Sequence, residues 1–125
     1  MPQQRYTITA ALPYTNGPIH IGHLAGVYVP ADIYARYLRM KGEDVFFVCG
    51  SDEHGVAITL SADLAKRSPQ EHVDYYNKEI KEFFKKLNMS FDHYGRTTSA
   101  SHADLTQEFF KSLEEKGYIE SKTED

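Results

Sequence analysis

Cysteine is almost absent: Cys49 is the only one in 125 residues. No intrachain disulfide can form, and neither can a cysteine-based zinc knuckle. A lone thiol inside an apolar run fits a reducing compartment. Long apolar stretches are missing too, and nothing approaches the run of about 18 apolar residues that a spanning helix needs. Residues 1–9 lack the apolar centre of a secretory signal. The expectation is a soluble, cytoplasmic chain without a membrane partner. Internal repeats and low-complexity segments are also lacking, which excludes solenoids. Positive charge is scarce: 14 Lys and Arg against 18 Asp and Glu leave a net −4. That argues against a chain-wide basic nucleic-acid binder. The deficit is uneven, however. In residues 1–41, Arg5, Arg36, Arg39 and Lys41 face only Asp32, a net of +3 that leaves −7 for the remainder. An anionic ligand should therefore meet the N-terminal part first.

What is present suffices for one domain with a real core, since 41% of the residues are hydrophobic. Residues 5–11 alternate Tyr6, Ile8 and Ala10 with Thr7 and Thr9 and predict a strand. A turn-rich loop follows, punctuated by Pro13, Asn16-Gly17 and Pro18. Leu24, Val27, Tyr28, Ala31, Ala35 and Leu38 then recur at helical spacing, with a kink expected at Pro30 and a stop at Gly42. Val45-Phe46-Phe47-Val48-Cys49 reads as a strand covered on both faces, as in a parallel sheet. Strand, helix and strand make a βαβ unit.

A short helix is expected over about 56–66. Ser68-Pro69-Gln70-Glu71 is a capping box for a helix to about 87, with Val73, Tyr76, Ile80, Phe83 and Leu87 as its apolar stripe. The charged residues Lys78, Glu79, Lys81, Glu82, Lys85 and Lys86 read as its solvated face. A third strand is expected over 91–98. Ser101 is a candidate cap for a last helix with Leu105, Phe109 and Leu113 inward and Gly117 at its end. Tyr118-Ile119 is a candidate start of a further strand. The expected fold class is α/β: the first half of a doubly wound, Rossmann-like parallel sheet with flanking helices.

The sharpest chemical feature is His20-Ile21-Gly22-His23, placed where the first strand's loop becomes the first helix. Open α/β sheets bind ligands there, outside the carboxyl ends of their strands. Free N–H groups at a helix start suit phosphate. Two histidines three apart share a face and can both donate to phosphate oxygens. Gly22 permits close approach to the backbone. The chemistry this suggests is stabilisation of negative charge on phosphorus during in-line displacement. Two plainer readings stand beside it: the histidines decorate a helix start, or they form a metal pair completed by His54, which lacks a matching acidic or sulfur ligand.

The run Ala11-Leu12-Pro13-Tyr14-Thr15-Asn16-Gly17-Pro18-Ile19-His20-Ile21-Gly22-His23 resembles the first signature of the methionyl-tRNA synthetase family. The short His-Ile-Gly-His string is shared by class I aminoacyl-tRNA synthetases and related nucleotidyl transferases, whereas the longer lead-in is more specific. Segments around Ala31-Asp32, Arg39-Met40-Lys41-Gly42, 48–55 and 91–97 are similar to later parts of that family, in order.

The resemblance implies ATP-dependent activation of methionine to methionyl-adenylate and transfer to its tRNA, with magnesium accompanying the ATP. It implies that His20 and His23 are catalytic and hold ATP phosphates, with Asn16, Gly17 and Gly22 also at the ATP. Leu12 and Tyr14 would line a thioether pocket, Asp52 would bind the α-amino group, and Ala11, Pro13 and His54 would support them.

Plain structural readings compete with these roles. Tyr14 could be an ordinary loop aromatic, Asp52 a turn or cap residue before the helix at 56, and His54 a packing or capping residue. Cys49 reads as a buried small hydrophobe. His72, His93 and His102 read as structural or surface residues, and Arg96 as a surface salt bridge rather than a nucleic-acid contact.

Parts of the family pattern are missing from these residues. There is no Lys-Met-Ser-Lys-Ser loop, no zinc-bearing insertion and no anticodon-reading domain. The expectation is that residues 1–125 are an N-terminal piece of the catalytic domain, inactive alone, with no metal site of their own. A half-sheet would leave an open edge and apolar surface, so self-association is expected. Two alternatives remain open: another class I synthetase or nucleotidyl transferase, and a non-catalytic binding module.

Overall fold

The computed structural model describes residues 3–123, and Met1, Pro2, Glu124 and Asp125 lie outside it. β1 (Arg5–Thr9) leads into α1 (Ile21–His23), a π-helical turn at Leu24–Tyr28 and α2 (Val29–Met40). β2 (Asp44–Ser51), α3 (Val56–Leu64), α4 (Pro69–Lys86), β3 (His93–Arg96) and α5 (Ala100–Glu115) follow. The strands form one parallel sheet in the order β1-β2-β3, with Arg5 opposite Asp44 and Val48 opposite His93. Parallel neighbours need helical crossovers, which α1–α2 and α3–α4 supply. The fold is the expected α/β arrangement of a parallel sheet with flanking helices.

Alternation along the strands decides where the core sits. Ile8, Val45, Phe47 and Cys49 point to one face, where Leu24, Tyr28, Ala35, Ile80 and Phe84 meet them. The opposite face carries Thr7, Thr9, Phe46 and Val48, and Phe46 is 50% exposed. The expectation that 45–49 is covered on both faces is therefore corrected: the described helices cover one face only. Burial on α4 follows Val73, Asn77, Ile80 and Phe84, while Phe83 and Leu87 are exposed. A stripe in steps of 3.6 residues drifts to Phe84, one position beyond the expected Phe83.

The kink expected at Pro30 is resolved one turn earlier. The Val29 N–H reaches back to the Leu24 carbonyl, five residues away, at the end of the π turn. The wider turn lies just where a proline ring would collide with the carbonyl four residues before it. Pro30 then sits harmlessly in the first turn of α2.

Three further expectations fail near the C-terminal end. The cap of α5 is Ser99, whose hydroxyl accepts the His102 N–H, rather than Ser101. Leu105, Phe109 and Leu113 point outward and remain about half exposed or more. The cap and periodicity make the helix; Leu105 borders a cavity on the open face of the sheet, while Phe109 and Leu113 stay exposed. Residues 118–123 form no strand.

The polar side of α2 grips the segment between α4 and β3. Asp32 Oδ1 accepts from the Ser90 N–H at 2.7 Å and its hydroxyl at 2.6 Å, while Oδ2 accepts from Arg36 Nε at 2.7 Å. Arg39 donates to Ser90 Oγ and Asp92 Oδ2, and Asp92 Oδ2 also accepts the Phe47 N–H. Burial disfavours the charged Asp32 carboxylate, but the bonds from Ser90 and Arg36 outweigh that and hold its pKa below the usual value.

Replacing Asp32 by alanine strands three donors. It should cost about 2 kcal/mol in urea unfolding, the scale of a buried donor left unpaired. The pH dependence has a definite sign. Because the folded-state pKa is depressed, the Asp32 contribution is complete above the unfolded value of about 3.9 and is lost as pH falls through the folded value. The alanine variant should therefore converge with the wild type under acid.

Candidate functional site

β1 ends at Thr9, yet the pairing with β2 does not stop there. The Ala10 N–H donates to Val48 O, and the chain then loops through Pro13 before rejoining β2 at an isolated parallel bridge between Tyr14 and Asp52. The Asp52 N–H donates to Pro13 O at 2.9 Å, and the Thr15 N–H donates to Asp52 O at 3.0 Å. The buried Thr15 hydroxyl adds a second donor to Asp52 O at 2.9 Å. The first loop and the end of β2 are thus one hydrogen-bonded unit at the carboxyl end of the sheet.

That unit brings Tyr14, Pro13 and Asp52 together. It also brings in Gly55, whose φ of 129° and ψ of 163° belong to a region essentially reserved for glycine. A Cβ at Gly55 would strike the Tyr14 hydroxyl. Tyr14 is therefore a fitted loop aromatic, seated on the turn after Asp52. Leu12 is 47% exposed and lines a cavity of about 400 Å³ with Val48, Gly50, Gly95 and Leu105, on the open face of the sheet. Ala11 is exposed and offers its carbonyl to the Cys49 thiol at 3.8 Å. His54 is exposed, with Nε2 3.2 Å from Thr97 O. Asp52 is half-buried, and no described side chain pairs with its carboxylate.

The two histidines make a capping box of their own. His20 Nδ1 accepts the Gly22 N–H and His23 Nδ1 accepts the His20 N–H, each at 3.1 Å. Their rings stack with centroids 3.8 Å apart. An acceptor Nδ1 carries no proton, so this network assigns the ring proton to Nε2 in both residues. Both rings are exposed, which leaves two Nε2–H donors side by side at the helix start. A Cβ on Gly22 would lie 3.0 Å from His20 Cε1, so the bare backbone there first makes room for the folded-back His20 ring. Asn16 is exposed and Gly17 lies in the turn before the histidines, with nothing near it. No hydrogen bond among the described residues joins His20 or His23 to Asp52. The two groups are linked through the backbone of the first loop.

Several residues at the site escape sequence reasoning. Glu53 is buried, and its carboxylate accepts from Ser51 Oγ at 2.5 Å, from Arg96 Nε at 2.9 Å to both oxygens, and from the Thr98 hydroxyl. Arg96 also donates to Asp74 at 2.6 Å, and Asn77 donates to Ser51 Oγ at 2.7 Å. Burial disfavours the Arg96 cation, but its bonds to Asp74 and Glu53 raise its pKa all the same. Arg96 is thus a salt-bridge residue, but one anchored on a buried acid rather than on the surface. The available signal was the acidic pair Asp52-Glu53 itself, because a buried carboxylate demands a cation.

Burial pushes the Cys49 thiol up to about 11, which suits a packing residue and not a nucleophile. His72 is buried against Tyr76, whereas His93 and His102 are exposed. Among the described residues no three His, Cys, Asp or Glu side chains could hold a metal ion together, and no helix is long and apolar enough to cross a membrane.

Comparisons with known proteins point one way. The family model described as "tRNA synthetases class I (M)" matches residues 6–125. The methionine--tRNA ligase of Protochlamydia amoebophila is 57% identical over 98% of this chain, and that of Christiangramia forsetii is 62% identical over 97%. This chain spans only 18% of the length of either relative. A Mycobacterium tuberculosis methionyl-tRNA synthetase, solved with methionyl-adenylate, superposes with a TM-score of 0.87 at 30% identity. That match covers 92% of this chain and 22% of that one.

Replacing Gly55 by alanine should cost about 2–3 kcal/mol, from a backbone conformation closed to other residues. Adding Tyr14→Phe removes the struck hydroxyl and should recover the steric part only. Thermal unfolding of the two variants separates these contributions. Full recovery would mean that backbone strain plays no part.

Proposed function

The chain belongs to the class I tRNA synthetases (M), and from that premise we propose that it forms one side of the catalytic site of a methionine--tRNA ligase. A protein of its relatives' length would activate methionine with ATP and pass the methionyl group to the terminal adenosine of its tRNA. Residues 1–125 would be part of the nucleotide-binding catalytic domain, cytoplasmic, as the lone buried thiol suggests.

In the first step an oxygen of the methionine carboxylate bonds to the α-phosphorus of ATP. The bond from that phosphorus to the bridging oxygen breaks, and pyrophosphate leaves. Charge builds on the phosphoryl oxygens, and preformed donors aimed at them lower the barrier. The paired Nε2–H groups of His20 and His23 are the observation that carries this reading, because their capping bonds fix the donor tautomer before ATP arrives. Asn16, Gly17 and Gly22 border the same ATP. Magnesium enters with ATP as part of the substrate. Zinc has no ligand set among the described residues, and no step here requires it.

Asp52 would receive the methionine ammonium as a charge-assisted hydrogen bond, since its carboxylate has no described partner. Leu12 and Tyr14 would face the thioether, with Ala11, Pro13 and His54 supporting the loops around them.

The test is methionine-dependent exchange of pyrophosphate into ATP by a protein of the relatives' length that includes this segment. His20→Ala or His23→Ala should lower the exchange rate about 100- to 1000-fold, the scale of losing one transition-state donor. Asp52→Ala should chiefly raise the methionine concentration required. Undiminished exchange in both histidine variants would overturn the phosphate role.

We also propose that the 125-residue chain self-associates. Phe46 is half exposed, and α5 turns Leu105, Phe109, Phe110 and Leu113 outward. Light scattering should detect dimers or larger species, and a stable monomer at high concentration would refute the proposal.

A further inference from the structure

The geometry points to Glu53 and Arg96 as a positioning pair that sets both the direction of the Asp52 carboxylate and the seat of the first loop. The inference deepens the reading above and rests on it only for the identity of the ligand. Side chains alternate along the end of β2, so Ser51 and Glu53 point toward β3 and α4 while Asp52 points the other way. Both flanking residues are anchored. Ser51 is held by Asn77 and Glu53, and the Glu53 N–H donates to the Thr97 hydroxyl at 2.8 Å. The Glu53 carboxylate is held by the Arg96 guanidinium, which α4 fixes in turn through Asp74. The Asp52 peptide has no freedom left between two such anchors, and it is the peptide on which Pro13 and Thr15 hang.

The pair has an electrostatic consequence as well. Asp52 and Glu53 are adjacent acids, and the side chain of Glu53 is 0% exposed. A buried charge persists only when paired. Arg96 neutralises it, so a single unpaired carboxylate, that of Asp52, faces an approaching ammonium. Loss of the pair would loosen the Asp52 peptide and thus also the loop that bears Leu12 and Tyr14. Neither Glu53 nor Arg96 needs to touch the ligand for this.

The experiment uses the 125-residue chain with Glu53→Gln, which keeps size while removing charge, and with Glu53→Gln plus Arg96→Gln, which removes both charges. Asp74→Asn is the control for the outer limb of the network. Native-state amide hydrogen exchange is read at Asp52 and Thr15, with Ala10, bonded to Val48 within the sheet, as reference. The proposal expects about tenfold or greater loss of protection at Asp52 and Thr15 in the Glu53 variants, little change at Ala10, and little change anywhere in Asp74→Asn. Equal loss at all three amides would mean general destabilisation and would overturn the positioning role. So would no loss at Asp52 and Thr15.

A second arm titrates L-methionine and 4-(methylsulfanyl)butanoate, which is methionine without its ammonium. The Glu53 variants should weaken methionine binding about tenfold and the butanoate clearly less, because both ligands lose the firm seat of the first loop but only methionine loses the charge-assisted contact at Asp52. Equal weakening of both ligands would count against the proposal. If the wild-type chain binds neither ligand, the methionine reading fails for this chain, and the exchange arm still decides the positioning role.

Discussion

The parallel pairing of β1 with β2 governs the rest of the molecule, because it continues after the regular strands have ended. Five consecutive register pairs, from Arg5–Asp44 to Thr9–Val48, fix which residues of each strand face the helices. After the loop the parallel pairing resumes at the Tyr14–Asp52 bridge, one residue out of step with the strands. A register shift of one residue would turn Phe47 and Cys49 outward and would also reverse Asp52 and Glu53. Core and site are therefore specified by one constraint. The buried Thr15 is its keystone, since both its amide and its hydroxyl donate to the Asp52 carbonyl.

The sequence makes the elements legible where local rules suffice. The Ser68 capping box, the stop at Gly42 and the apolar run of β2 are all short-range signals, and each appears where expected. The histidine string and the loop before it could be read as a ligand-binding turn, because their residue types and their place after a strand coincide. Less legible were features that depend on a distant partner. Glu53 and Arg96 lie 43 positions apart, and only the β2–β3 register brings them together. The wide turn before Pro30 was also hidden. Sequence indicates that a proline disrupts a helix, but not whether the helix bends at the ring or widens ahead of it.

Two errors share one physical cause. A continuous apolar run puts Phe46 inside a doubly covered strand, and helical spacing puts the stripe of α5 inside; both rules assume that apolar residues find a core. Periodicity shows that an element is amphipathic, yet it does not show that a complementary surface exists within the same residues. Ser99 and the turns of α5 are sufficient to form the helix, while its apolar side stays exposed. On the helical side of the sheet, by contrast, Tyr28, Phe84, Phe91 and Tyr94 interlock through edge-on and tilted ring contacts with centroid spacings of 4.8–6.0 Å. The same residue classes thus have opposite fates on the two faces, and the difference lies in which helices the crossovers deliver.

The site residues carry structural duties that constrain how their chemistry can be probed. His20 and His23 each satisfy a backbone N–H that the start of the helix would otherwise leave unpaired. An alanine at either position therefore removes a cap together with a proposed phosphate donor, and only the loss beyond that of the cap bears on catalysis. An asparagine or glutamine exchange tests the two duties better, because a side-chain carbonyl can still accept the backbone proton. The acids divide more cleanly. Glu53 is wholly committed to holding β2, β3 and α4 together, whereas Asp52 spends only its peptide groups on the fold and keeps its carboxylate free. The backbone bonds fix the direction in which the Asp52 side chain leaves the chain, so an arriving cation has only the side-chain torsions left to order, a smaller cost than ordering the loop as well.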